Sequence, residues 1–179
     1  MEKPVDLNGF VLAMTETAYA QVKAACDGLT DEQFFCQPTP ETNPIAWLIW
    51  HMSRARDVIT SNISGENQVW MSNGWADRFG MDAEDVGIGD SPEKVSAFHP
   101  ERSLVMGYLD DAHEATMKRI SMIPTEQFDQ PVVYALGDTR PVCRALVGMA
   151  GDSTQHTGQI AYLRGMFTGM GWRRRAGWA

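Results

Sequence analysis

The sequence predicts an all-α fold, an up-down bundle of four long helices, from three observations. Apolar residues recur at three- and four-residue steps through four segments of about twenty residues or more, the period of helices that each bury one face. Strand signals are few. The chain of 179 residues can bury one sizeable core without disulfide or metal staples, and amphipathic helices of this length cover their stripes most simply against one another.

The first long helix is expected from Asp6 to Asp27, with Leu7, Phe10, Val11, Met14, Ala18, Val22 and Ala25 on its stripe and Gly28 as the stop. Thr30-Asp31-Glu32-Gln33 has capping-box spacing, but Phe34, Phe35, Pro38 and Pro40 leave room for only a turn or two of helix. Asn43 and Pro44 then suit an N-cap and a first helical position. They open the second long helix, carried by Ile45, Trp47, Leu48, Ile49, Met52, Ala55, Val58, Ile59 and Ile63. His51 falls on its buried edge, between Trp47 and Ala55.

From residue 65 to 100 the period is lost. Gly65, Gly74, Gly80, Gly87, Gly89, Pro92 and Pro100 interrupt Trp70, Trp75, Phe79 and Phe98. Exposed rings would cost solubility, so this segment is expected to fold over the core, with a short helix starting at Ser91-Pro92-Glu93. His99 precedes a proline and is given no role. The third long helix follows from Glu101 to about Met122, with Leu104, Val105, Tyr108, Leu109, Ala112, Ala115 and Ile120 inward and His113 on the polar side. After a connection from Pro124 to Pro131, Val132-Val133-Tyr134-Ala135 suits a short extended piece. Gly137-Asp138-Thr139-Arg140-Pro141 is expected to start the fourth long helix, which runs to about Thr168 before Gly169 and Gly171.

The totals exclude several classes. Apolar content of 44% and charged content of 21% are ordinary for a globular protein, and no apolar run approaches a membrane span. Met1 to Asp6 shows no export signal, so a soluble, cytoplasmic protein is expected. A formal net charge of -8 argues against a nucleic-acid partner, because phosphate binding draws on clustered Lys and Arg. The run Arg173-Arg174-Arg175 reads as part of a solvated tail spanning 171–179, after one domain over 1–170. Cys26, Cys36 and Cys143 form no paired motif and read as reduced thiols, with Cys36 in a loop the most accessible.

The chemistry lies in the fourth helix. Ala145, Met149, Asp152, His156, Ile160, Leu163 and Phe167 share one stripe, so a carboxylate and an imidazole stand within an apolar face. An unpaired buried carboxylate costs several kcal/mol, of order 3–5, so Asp152 needs a partner, a metal or a wet cavity. Asp152 and His156, at i and i+4, point to the same patch. That spacing also suits an intrahelical Asp–His hydrogen bond with no metal. Adding His51 from the second helix makes two imidazoles and one carboxylate, which suits a divalent Zn, Ni, Fe or Mn ion with a position left open for water, thiol or substrate.

Asn43-Pro44-Ile45-Ala46-Trp47-Leu48-Ile49-Trp50-His51-Met52, then Arg56-Asp57, together with Gln155-His156-Thr157-Gly158-Gln159-Ile160-Ala161-Tyr162-Leu163-Arg164-Gly165, resembles the DinB-like superfamily. The resemblance extends to about Gly169. It implies a four-helix bundle of up-down-down-up topology with a long crossover between the second and third helices, a homodimer, and a metal site in which His51 is the first ligand and His156 the last. Asp152 stands where the family pattern has a second histidine. The activities the family implies are thiol S-transfers to a small-molecule substrate, with a low-molecular-weight thiol as cosubstrate activated by the metal. In that setting Trp47, Met149 and Ile160 would exclude water; Arg164 could meet a substrate carboxylate but more simply makes a surface or interface salt bridge, and Trp70 and Trp75 could roof the pocket but more simply pack as core. Two other readings fit the same residues: a metal-dependent hydrolase, and a non-catalytic ligand-binding or interaction bundle with a buried Asp–His network.

Overall fold

The computed structural model describes residues 7–134 and 137–175, without the side chains of 174 and 175. The expected lack of an export signal before residue 7, the end of the extended piece at Ala135, and residues 176–179 of the tail lie outside the described residues.

Four long helices dominate: α1 (Leu7–Cys26), α3 (Ile45–Ser64), α7 (Arg102–Ser121) and α8 (Val142–Thr168). The short α2 (Asp31–Phe35) follows α1, and Thr30 and Gln33 close the expected capping box. The crossover holds α4 (Val69–Ser72), α5 (Trp75–Phe79) and α6 (Pro92–Ser96), the last capped by Ser91. A hairpin of β1 (Pro131–Val133) and β2 (Thr139–Pro141) precedes α8, with Val132 opposite Arg140. A last short helix, α9 (Trp172–Arg175), brings Trp172 into the core, beyond the boundary expected at residue 170.

The direction of each helix follows from two apolar clusters. One contains Val22 and Ala25 of α1, Ile45 to Met52 of α3, Val105 to Ala112 of α7, and Ile160 and Leu163 of α8. The other contains Val11, Ile59 with Ile63, Ile120, and Val142 to Met149 from the same four helices. Thus α1 and α8 run from the second cluster to the first, and α3 and α7 run the other way. The topology is up-down-down-up. Each of α1 and α3 packs against both α7 and α8, so the two members of each pair stand diagonally across the bundle.

Three local expectations are corrected. Pro44, not Asn43, occupies the N-cap of α3 and makes no side-chain cap bond. Residues 139–141 form β2, and α8 starts only at Val142, because the extended piece found a strand partner in the segment read as a helix start. His113 is not on the open polar side: it stacks on Tyr19 at 3.9 Å, and Nε2 donates to Glu16 at 3.1 Å, filling the contact between α1 and α7.

Charged residues that periodicity leaves without a role are buried, and they hold the crossover down. Asp57 accepts the amides of Val69 and Trp70 at the start of α4, the Tyr108 hydroxyl, and Arg119 Nη1 at 2.9 Å. Arg54 donates to the carbonyls of Ala83 and Asp85 and to Gln68. These bonds satisfy backbone groups that the loops leave unpaired, and fix residues 65–90 over one end of the bundle. Cys26 is buried, which pushes its thiol up to about 12 and leaves it unreactive.

Candidate metal centre

His51 lies two turns into α3, and Asp152 and His156 lie near the middle of α8, where the two helices pack together. One ligand atom from each of the three falls within 4.8 Å of the others. His156 Nε2 is 3.3 Å from Asp152 Oδ1, and His51 Nε2 is 4.0 Å from the same oxygen. The two imidazoles meet edge to face, at 5.0 Å and 88°. Among the described residues this is the one group of its kind.

The far side of each ring is tied. His51 Nδ1 donates to the Val86 carbonyl at 2.5 Å, and His156 Nδ1 donates to Gln159 Oε1 at 2.7 Å. Both acceptors are oxygens, so each Nδ1 holds the proton and each Nε2 presents its lone pair toward Asp152 when the ring is neutral. Trp47 stacks on His51 at 4.9 Å and 8°, and its indole Nε1 donates to Asp90. The other oxygen of the carboxylate, Asp152 Oδ2, is buried with no hydrogen-bond partner among the described residues. Two oriented Nε2 lone pairs, one carboxylate and an unsatisfied buried oxygen are a donor set that suits a divalent ion.

Burial lowers the His51 pKa, against the raising effects of the Val86 bond and the Asp152 charge. For His156 burial also acts downward, but the bonds to Asp152 and Gln159 and the Asp152 charge outweigh it and raise the pKa. A metal must displace the His156 proton. The apparent metal affinity is therefore expected to fall as pH drops through the raised His156 value, which lies above the ordinary 6.5, by about tenfold per pH unit below it. In the metal-free protein the two rings act oppositely on stability. His51, depressed, gives a contribution that is lost as pH falls below its ordinary value; His156, raised, gives one that is lost as pH rises through its folded value. NMR titration of the two rings, with metal affinity at several pH values, checks both signs.

The Val86 carbonyl depends on Gly87. Its φ is +78°, and a Cβ there would stand 2.7 Å from both Trp47 Cζ2 and Trp50 Cζ3 and 3.3 Å from His51 Nδ1. Gly87→Ala should displace the loop and release His51, weakening metal binding about 10–100-fold, as loss of other outer-shell partners does. Chelator competition measures this.

The model of a known family, the DinB superfamily, matches residues 14–160. The chain belongs to the DinB superfamily. A crystal structure of a conserved protein from Enterococcus faecalis aligns with TM-score 0.77 and 21% identity, over 88% of this chain and 94% of that one, a likeness of fold. No curated protein matches the sequence. As a DinB-superfamily protein the chain carries a His/Asp/His group able to bind a metal ion.

The residues named as possible pocket lining fall in different parts of the fold, and the two crossover tryptophans pack as core. Trp47 is beside His51, as described. Trp75 packs on Tyr108 and Phe79, with Nε1 donating to Asp111, because α5 lies against α7. Trp70 is likewise buried in the crossover, against Trp50 and Tyr108. Met149, one turn before Asp152, belongs to the apolar cluster around the first turns of α8. Arg164 donates to the Asp27 carbonyl at 2.6 Å, closing the end of α1 rather than facing the three ligands. A groove of about 700 Å³ lies between residues 38–43 and the face of α8 that carries Gln155, Gln159 and Tyr162. Leu48, Gln155, Gln159, Tyr162 and Met166 line it. Gln159 therefore borders the groove while holding His156; the pair has i,i+3 spacing on α8, and the groove comes from residues 38–43.

Proposed function

We propose that this DinB-superfamily protein binds one divalent metal ion, Zn, Ni, Fe or Mn, through His51 Nε2, Asp152 and His156 Nε2, and uses it for S-transfer from a low-molecular-weight thiol to a small electrophile. The observation that carries the reading is the convergence of the three donors with both Nδ1 atoms already turned away and held. When bound, such a metal lowers the pKa of a coordinated thiol, so that the nucleophilic thiolate exists near neutral pH.

The chain's own residues supply the rest. Val86 and Gln159 orient the rings and Trp47 shields His51 from water; the groove along Leu48, Gln155 and Gln159, which Gln159 shares with the site, is where we place the ligand. No helix among the described residues is long and apolar enough to cross a membrane; we place the protein in the cytoplasm as a homodimer without a nucleic-acid partner, and light scattering tests the assembly. The activity test incubates metal-loaded protein with an electrophile, with and without a panel of thiols. Turnover that requires both thiol and metal supports transfer. Turnover with metal and no thiol selects the hydrolase, and no turnover with retained ligand binding selects the non-catalytic bundle.

A further inference from the structure

The two apolar clusters do not touch through a continuous core. Between them each long helix contributes a buried polar side chain: Thr15 from α1, Arg56 from α3, Thr116 from α7 and Ser153 from α8. Arg56 is 1% exposed. Its Nε donates to Ser153 Oγ at 2.9 Å, but Nη1 and Nη2 have no hydrogen-bond partner among the described residues, and neither do the hydroxyls of Thr15 and Thr116. An arginine buried in this way requires both a counter-charge and acceptors. Asp57, next in sequence, does not serve, since it is turned to Val69, Trp70 and Arg119.

The carboxylate whose charge bears on Arg56 is Asp152, the residue before Ser153. Burial alone would discharge the guanidinium more easily and lowers its pKa to about 10, which still leaves it charged at neutral pH. Among the buried groups that lack a hydrogen-bond partner in the described residues, Asp152 Oδ2 is the one carboxylate oxygen, and Arg56 Nη1 and Nη2 are donors; His113 Nδ1 and the Thr15 and Thr116 hydroxyls are also unpartnered but offer no counter-charge. Groups matched in this way but beyond direct contact are the usual partners of an internal water.

We propose that Arg56 is the internal counter-charge of the His51, Asp152 and His156 site, joined to Asp152 Oδ2 through a buried water in the polar layer of the bundle. It is a positioning residue, acting through its link to Asp152 and through its charge. Its charge cancels that of the carboxylate, so that two neutral imidazoles, Asp152 and Arg56 carry no net charge together. A divalent ion held there keeps its positive charge toward its open position, which then favours an anionic ligand such as a thiolate or hydroxide. This last step rests on the metal-binding reading; the Arg56 and Asp152 pairing does not.

The first test is a double-mutant cycle on the metal-free protein, with Asp152→Asn measured by urea unfolding in the wild-type and Arg56→Met backgrounds. The expected result is a clear loss of stability in the wild-type background, tenfold or more in the unfolding constant, and a markedly smaller loss, that of the His156 contact alone, where Arg56 is already neutral. Equal losses in both backgrounds overturn the pairing. Should Arg56→Met fail to fold, the guanidinium 15N resonances of Arg56 in wild type and Asp152→Asn decide instead: they shift if the groups share a water, and their invariance overturns the proposal. The second test is the Zn affinity of the Arg56 variants by chelator competition. Arg56→Met should bind Zn about tenfold more tightly or better, the effect of removing one cation facing a divalent ion, and Arg56→Lys should return to near wild type. Unchanged or weaker binding in Arg56→Met overturns the charge-balancing role. A wild-type protein that binds no metal defeats the proposed function while leaving the cycle to judge the pair.

Discussion

Replacing Asp152 with alanine is expected to take the protein from near one bound metal per chain to almost none. Asp152 Oδ1 is the atom both Nε2 lone pairs approach, at 3.3 and 4.0 Å, so its loss removes the anionic ligand and leaves two imidazoles 5.0 Å apart between ring centres. Loss of an outer-shell partner weakens metal sites about 10–100-fold, and loss of a ligand should exceed this. Mass spectrometry on protein prepared without chelator or histidine tag, beside His51→Ala, measures the content. Stoichiometric metal in either variant would place the ion elsewhere. Equal folding of the variants, judged by circular dichroism, separates a lost ligand from a lost fold.

The largest effect on stability is expected at Asp57. Asp57→Asn keeps the shape but leaves Arg119, 2% exposed, with its main counter-charge removed. It also weakens the acceptor for the Val69 and Trp70 amides and for the Tyr108 hydroxyl. Breaking one partner of a buried pair costs about 3–5 kcal/mol, a large share of the stability of a single domain. The crossover should loosen first, because α4 is anchored through Asp57, while among the described residues α1 and α8 give that carboxylate no hydrogen bond. Urea unfolding gives the magnitude, and hydrogen exchange at Val69 and Trp70 gives the order. A loss below about 1 kcal/mol, the size of an exposed pair, would show that the network contributes little.

Asp57 also marks where reading the sequence stops. Its partners are Val69 and Trp70, 12 and 13 residues on, Tyr108 at 51, and Arg119 at 62 residues' separation. Apolar period says which residues face inward when they are apolar; it cannot say that Arg54, Arg56, Asp57 and Arg119 do so. The same limit applies to Trp75 and Arg164. A tryptophan in an irregular segment and an arginine on the last helix are compatible with many neighbours, and the packing of α5 on α7 and the closing of α1 chose among them.

The four long helices were legible because helical amphipathicity is local: a residue's face depends on residues three and four away. The candidate site was legible for a related reason. Asp152 and His156 are coupled by spacing alone, and His51 joined them once its helix was assigned a buried edge. Tertiary structure decided what those residues do next. The Val86 carbonyl reaches His51 across 35 residues, residues 38–43 form a groove against Gln155 and Gln159, and Ser153 meets Arg56 across 97. Backbone carbonyls carry no sequence signature, and the burial of a charge is set by partners that come from other helices.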